Sequence, residues 1–95
     1  MENPELAGKR RRIDALDARL ARLLAERLAL LASMAGLKKK VRDPERETAV
    51  LERAARQAGD RRLRAAVMAV YRGILAQGRA LQAAARRRAR GADAR

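Results

Sequence analysis

The length, composition and charge of the chain exclude several classes of protein. Its 95 residues suffice for one small domain and are mostly strong helix formers, with Tyr71 as the single aromatic residue. Because cysteine and histidine are both absent, disulfides, thiolate chemistry and the commonest general base and metal ligand are excluded. The net charge of +13 favours anionic partners, and no apolar run is long enough to span a bilayer. We therefore expect an all-α fold and, since no hydrophobic signal region precedes the first helix, a cytoplasmic protein.

A long first helix is predicted at residues 5 to about 39, after a disordered lead of residues 1–5. The apolar stripe of this helix consists of Ile13, Leu20, Leu24 and Leu31. At about 100° per residue, Arg27 and Lys38 lie within about 40° of the centre of this stripe. Arg10 lies about 60° to the other side of it. A cation within an apolar stripe is costly unless an anion meets it, so these residues predict an anion-binding site.

The length of this helix predicts a homodimer. A helix of residues 5–39 would span about 50 Å, whereas a compact domain of roughly 100 residues has a radius of gyration of about 13 Å. In a single chain the apolar stripe would therefore stay exposed to water. The simplest remedy is a dimer in which two long helices bury each other's stripes.

Two further helices are marked by their capping residues. Asp43 is a good N-cap and Pro44 suits the first helical position, so a second helix is predicted to begin there and to end near Gly59. Asp60 then caps a third helix, which is predicted to continue to about Arg87. The inward-facing residues of the second helix are expected to be Val50, Leu51 and Ala54. Those of the third helix are expected to be Leu63, Val67, Val70, Ile74 and Leu81.

Polar residues on the second and third helices are candidates to complete the anion site. Asp43 and Glu47 share a helix face, with Arg46 at its edge, although a capping residue with a surface ion pair is the simpler explanation. Gly78 inside the third helix indicates the close approach of a helix or a ligand, and Gln82 is a boundary residue or an amide donor. With the three cations, this set suits a small ligand with two carboxylates and a hydroxyl. No nucleophile–base pair is present, so a reaction that needs only restraint and electrostatics fits.

The order and spacing of these residues resemble the all-helical chorismate mutases of the AroQ class. The similarity covers about residues 6–83, within an expected domain of residues 6–85. The matching segments are Arg10 with residues 13–17, residues 23–27, Lys38, residues 41–47, and residues 71–75 with Gln82. The resemblance implies an isomerase that converts chorismate to prephenate by a Claisen rearrangement, on the route to Phe and Tyr, without a cofactor. It also implies an intertwined homodimer of three-helix chains, in which Arg10 reaches the partner's site.

The resemblance also assigns a role to each candidate site residue. The assignments are Arg27 and the partner subunit's Arg10 for the substrate carboxylates, Lys38 and Gln82 for the ether oxygen, Glu47 and Asp43 for the ring hydroxyl, and Arg46 as a lining residue. Two departures from the family matter. Because the connection to the second helix is shorter than usual, Lys39 or Lys40 could take the role of Lys38. Gly78 stands where relatives often carry a Ser that helps to bind a carboxylate.

Two other kinds of function stay open. On the same fold, related enzymes eliminate pyruvate from isochorismate or act on amino-deoxychorismate, and a Glu47 that faces a hydroxyl favours chorismate. A basic helical nucleic-acid-binding dimer would explain the charge, including that of residues 86–95, which are expected to form a frayed tail. However, the basic residues are scattered around the helices, and aromatic residues for base stacking are almost absent. We therefore expect neither nucleic acid nor a membrane as a partner.

Overall fold

The fold is all-α, as the composition predicts. The computed structural model describes residues 3–37 and 42–93. Within these ranges the chain forms three helices, α1 (Pro4–Ser33), α2 (Pro44–Ala58) and α3 (Arg61–Asp93), without any strand. No helix of the described ranges is both long and apolar enough to cross a membrane.

The first helix begins with a cap formed by Asn3. The Asn3 Oδ1 atom accepts hydrogen bonds from the backbone N–H groups of Glu5, at 2.7 Å, and Leu6, at 3.4 Å. Pro4 occupies the first helical position, where its missing N–H leaves no helical bond unmade. The predicted start near residue 5 is confirmed to within one residue. Pro4, which the sequence pattern assigns to the disordered lead, is thus helical.

The other end of α1 differs from the prediction that this helix continues to about residue 39. The helix ends at Ser33, and residues 34–37 form turns. The backbone N–H groups of residues 34 and 35 bond to carbonyl oxygens three residues earlier, at 3.1 and 3.2 Å. This tighter bonding pattern commonly closes the last turn of an α-helix. The predicted extension of the helix through residues 34–37 is therefore wrong, and residues 38 and 39 lie outside the described residues.

The chain forms two compact units, which divide between Leu30 and Leu31. Most of α1 belongs to the first unit, and no residue of this helix is buried. The exposed large apolar residues of α1 are Leu6, Ile13, Leu16, Leu20, Leu23 and Leu30. Of the predicted stripe, Ile13 and Leu20 are exposed, whereas Leu24 and Leu31 are half-buried, so the predicted exposure is confirmed for the first half of the stripe only.

In the second unit, α2 packs on α3, and both helices begin where the sequence predicts. The Asp43 Oδ1 atom accepts a hydrogen bond from the backbone N–H of Arg46 at 3.1 Å, and Asp60 Oδ1 accepts one from Arg62 at 2.9 Å. Gly59 follows the last residue of α2 with a φ of 74°, a conformation that favours glycine. Local capping chemistry therefore fixes the α2–α3 connection.

The buried face of α3 is not the predicted one. Leu63 and Val70, which the apolar pattern places inside, are exposed, and the other three predicted positions are half-buried. The buried row consists of Leu75, Gly78 and Gln82. This row lies about 90° around the helix from the predicted stripe. The face that α2 covers, with its buried residues Val50 and Ala54, is thus only one of two apolar faces of α3. The helix also continues to Asp93, beyond the predicted end near residue 87.

Candidate functional site

Gln82 links α3 to the last turn of α1. The residue is only 3% exposed, and its Nε2 atom donates a hydrogen bond to the backbone carbonyl of Leu31 at 2.9 Å. The same carbonyl also accepts the backbone N–H of Met34 at 3.1 Å, so Gln82 adds a second, long-range bond at the end of α1. The bond also fixes the orientation of the amide, because the nitrogen and not the oxygen must face the carbonyl. Gln82 is therefore a buried and oriented donor rather than a tolerated boundary residue.

A partly buried ion pair joins α2 to α3. The Arg79 Nη1 atom donates to the Glu47 Oε1 atom, and the two side chains are 31% and 19% exposed. The sequence pattern predicts Glu47 as a ligand contact but does not identify Arg79. The sequence feature that could have identified Arg79 is its angular position around α3, about 40° from Leu75 and about 60° from Gln82. A charged residue so close to a buried face indicates a partner of opposite charge.

The buried row of α3 brings part of the predicted set together. Gly78 is buried in this row and, since it has no side chain, it allows a neighbouring group to approach closely. Arg79 is the next residue, and Gln82 follows about 4.5 Å further along the helix axis. The ion pair therefore joins the Glu47 carboxylate to a residue of α3 that borders this buried row.

The first turn of α2 contains the other predicted residues of this unit. Asp43 is the N-cap, with its side chain bonded to the backbone N–H of Arg46 and its carbonyl bonded to the N–H of Glu47 at 3.0 Å. Both Asp43 and Arg46 are exposed. The simpler explanation of Asp43 as a capping residue is thus confirmed. A ligand bound by its side chain would compete with the cap.

Arg27, in the first unit, is a half-buried cation. Its Nη1 atom is buried and has no hydrogen-bond partner within residues 3–37 and 42–93. A buried polar group without a partner costs about 1–3 kcal/mol, and a charged one costs more. Such a group requires an explanation, and an anionic ligand would supply one. Arg10, on the same helix, is exposed.

Lys38, the third predicted cation, lies outside the described residues, as do Lys39 and Lys40. The helix that the pattern extends through them ends at Ser33. Helical phase therefore no longer favours Lys38 over its neighbours. The role of Lys38 rests on its place in the motif alone.

Most of the chain matches a known protein family. Residues 9–83 match the chorismate mutase type II family. The match covers most of the chain and contains every predicted site residue, from Arg10 to Gln82. No curated protein and no solved structure matches the chain. The chain therefore belongs to the chorismate mutase type II family, the all-helical class of these enzymes.

Proposed function

We propose that the protein is a chorismate mutase, which converts chorismate to prephenate in one intramolecular step without a cofactor. Its family supports an activity of this type. The observation that carries the proposal is the buried Nη1 atom of Arg27, which has no hydrogen-bond partner in the described parts of the chain. A substrate carboxylate would supply the acceptor, and a guanidinium group matches a carboxylate in two-point geometry.

The reaction breaks the ether C–O bond and forms a C–C bond, without net proton transfer. Its barrier falls when the reacting carbons are held together and when the charge that develops on the ether oxygen is stabilised. In the proposed site, Arg27 and the partner subunit's Arg10 hold the two carboxylates and so restrain the substrate in its folded conformer. Gln82, with the amide orientation that Leu31 fixes, and Lys38 donate to the ether oxygen.

The α2 residues would bind the ring hydroxyl. Glu47 accepts from the hydroxyl, and Asp43 contributes through its backbone, because its side chain caps the helix. Arg46 lines the site. Gly78 offers no hydroxyl for a carboxylate, so carboxylate binding rests on the arginines or on a bridging water.

We also propose that the active protein is a homodimer. Around α1, the exposed residues Ile13, Leu16, Leu20 and Leu23 fall within an arc of about 80°. Continuous exposed apolar surface of this kind marks an interaction site. A second copy of the chain presents the same stripe, and a symmetric dimer buries the same patch of both subunits.

The proposal is tested with purified protein and chorismate, with prephenate measured by chromatography. The variants are Arg27→Ala and, as a matched control, Arg22→Ala, since Arg22 is exposed and lies about 140° around α1 from Arg27. We expect Arg27→Ala to lower kcat/KM by about 100-fold or more, because it removes one partner of a buried charged contact. Arg22→Ala should retain wild-type turnover.

Circular dichroism and sedimentation establish that both variants keep the helices and the association state of the wild type. If the wild type forms no prephenate, the proposed function is wrong. If Arg27→Ala turns over chorismate as fast as the wild type does, Arg27 does not bind the substrate.

A further inference from the structure

The ion pair of Glu47 and Arg79 is more enclosed than the ion pair of Asp60 and Arg62. In the latter, the arginine is 88% exposed and the aspartate 40%. The Glu47–Arg79 pair, at 19% and 31%, is partly removed from solvent. Solvent and salt screen such charges less, so a ligand beside the pair experiences both charges and not the carboxylate alone.

The geometry of the pair leaves the carboxylate able to bind a ligand. A carboxylate has two oxygens with about four lone-pair sites, and the Arg79 guanidinium occupies a site on Oε1. Because Arg79 is next to Gly78 in the sequence of α3, the ion pair holds the carboxylate to a residue that borders the buried row. Without Arg79, the Glu47 side chain would have more freedom, and its negative charge would be uncompensated.

We propose that Arg79 is a positioning residue that makes the site selective for a hydroxyl, rather than an ammonium, on the substrate group that Glu47 contacts. This inference rests on the proposed function. An uncompensated carboxylate binds an ammonium more strongly than a hydroxyl, because the ammonium hydrogen bond is charge-assisted. The carboxylate paired with Arg79 is nearly neutral as a unit, and the guanidinium repels a second cation. A neutral hydroxyl can still donate to the paired carboxylate.

Amino-deoxychorismate is the matched probe, because it carries a group that protonates to an ammonium where chorismate carries the hydroxyl. The experiment measures kcat/KM for both substrates with the wild type, Arg79→Met and Arg79→Lys. Met keeps an apolar stem and removes the charge, whereas Lys keeps the charge. Arg72→Met is the control, since Arg72 is exposed on α3 and lies about 20° around the helix from Arg79.

We expect the wild type to prefer chorismate by about tenfold or more, since like charges placed together strongly disfavour a partner. Arg79→Met should lower this preference about tenfold, and Arg79→Lys should restore most of it. Arg72→Met should leave the preference unchanged. A merely structural role of Arg79 would change kcat/KM for both substrates alike and would not move their ratio.

A wild-type protein that uses both substrates equally overturns the inference, whether or not the variants fold. A folded Arg79→Met variant with an unchanged preference overturns it too. In that case turnover of chorismate by the wild type would leave the proposed function standing. If the wild-type protein converts neither substrate, both the proposed function and this inference are wrong.

Discussion

Replacement of Leu20 by Asp should separate the proposed dimer into single chains. Leu20 is 51% exposed in one chain. Full burial of a leucine side chain stabilises by about 1.5–3 kcal/mol, so covering the exposed half contributes about 1 kcal/mol. A symmetric dimer contains this residue twice, which makes the apolar loss about 2 kcal/mol. Two carboxylates buried in place of the leucines add several kcal/mol to the cost.

A total of about 4 kcal/mol or more raises the dissociation constant of the dimer by about a thousandfold or more. Sedimentation equilibrium at several protein concentrations measures this change, and circular dichroism follows the helix content. Ala18→Asp is the control, because Ala18 is exposed and lies about 160° around α1 from Leu20. The same new charge on the opposite face should leave the association unchanged.

The Leu20→Asp variant should also lose turnover, since each site would lack the partner subunit's Arg10. If this variant associates as tightly as the wild type, the stripe of α1 is not the interface. If the wild type sediments as a single chain at every concentration, the proposed dimer itself is wrong. Loss of association in Ala18→Asp to the same extent would show that the added charge acts without regard to the helix face.

Two capping residues give further predictions. Asp43→Ala removes the N-cap of α2 and should lower the free energy of unfolding in urea by about 1 kcal/mol, whereas Asp43→Asn should cost less. Hydrogen bonds from Arg62 hold the pKa of Asp60 below its ordinary value of 3.8, so the ionised carboxylate stabilises the fold above that value. This contribution is lost as the pH falls through the lowered pKa. Asp60→Asn should therefore weaken the pH dependence of the free energy of unfolding below about pH 4. If that dependence is the same as in the wild type, the Asp60 carboxylate does not stabilise the fold in this way.

The starts of α2 and α3 could be predicted because a cap is a local device. Asp43 and Asp60 bond to backbone groups within three residues of themselves, so the sequence around them contains the whole interaction. The end of α1 is different, because the carbonyl of Leu31 accepts a hydrogen bond from Gln82, 51 residues away, besides its local bond from Met34. No pattern within α1 reveals that contact. A prediction from local sequence therefore continues the helix through Gly36, past the last turn of α1, where Gln82 bonds to Leu31.

Hydrophobic periodicity finds the apolar residues of α3 but does not identify the face that the same chain covers. Leu63 and Val70 are as apolar as Leu75, yet only Leu75 is buried. The physical reason is that α2 packs on α3 and the last turn of α1 contacts Gln82, which leaves the second apolar face of α3 exposed or half-buried. In the proposed dimer the second face is available to the partner, so the apolar stripe predicted from sequence would describe the assembly rather than the single chain.

Arg27 and Arg79 are both partly buried, and they show how much can be predicted from a cation in an apolar part of the sequence. Such a cation indicates that an anion is close, because an unpaired buried charge costs several kcal/mol. The sequence does not say whether the protein or a ligand provides that anion. Arg79 meets the Glu47 carboxylate within its own unit, whereas the Nη1 atom of Arg27 has no acceptor in the described residues. The same rule thus leads to two roles. In our proposals, Arg79 adjusts the charge of a protein carboxylate, and Arg27 binds a carboxylate of the substrate.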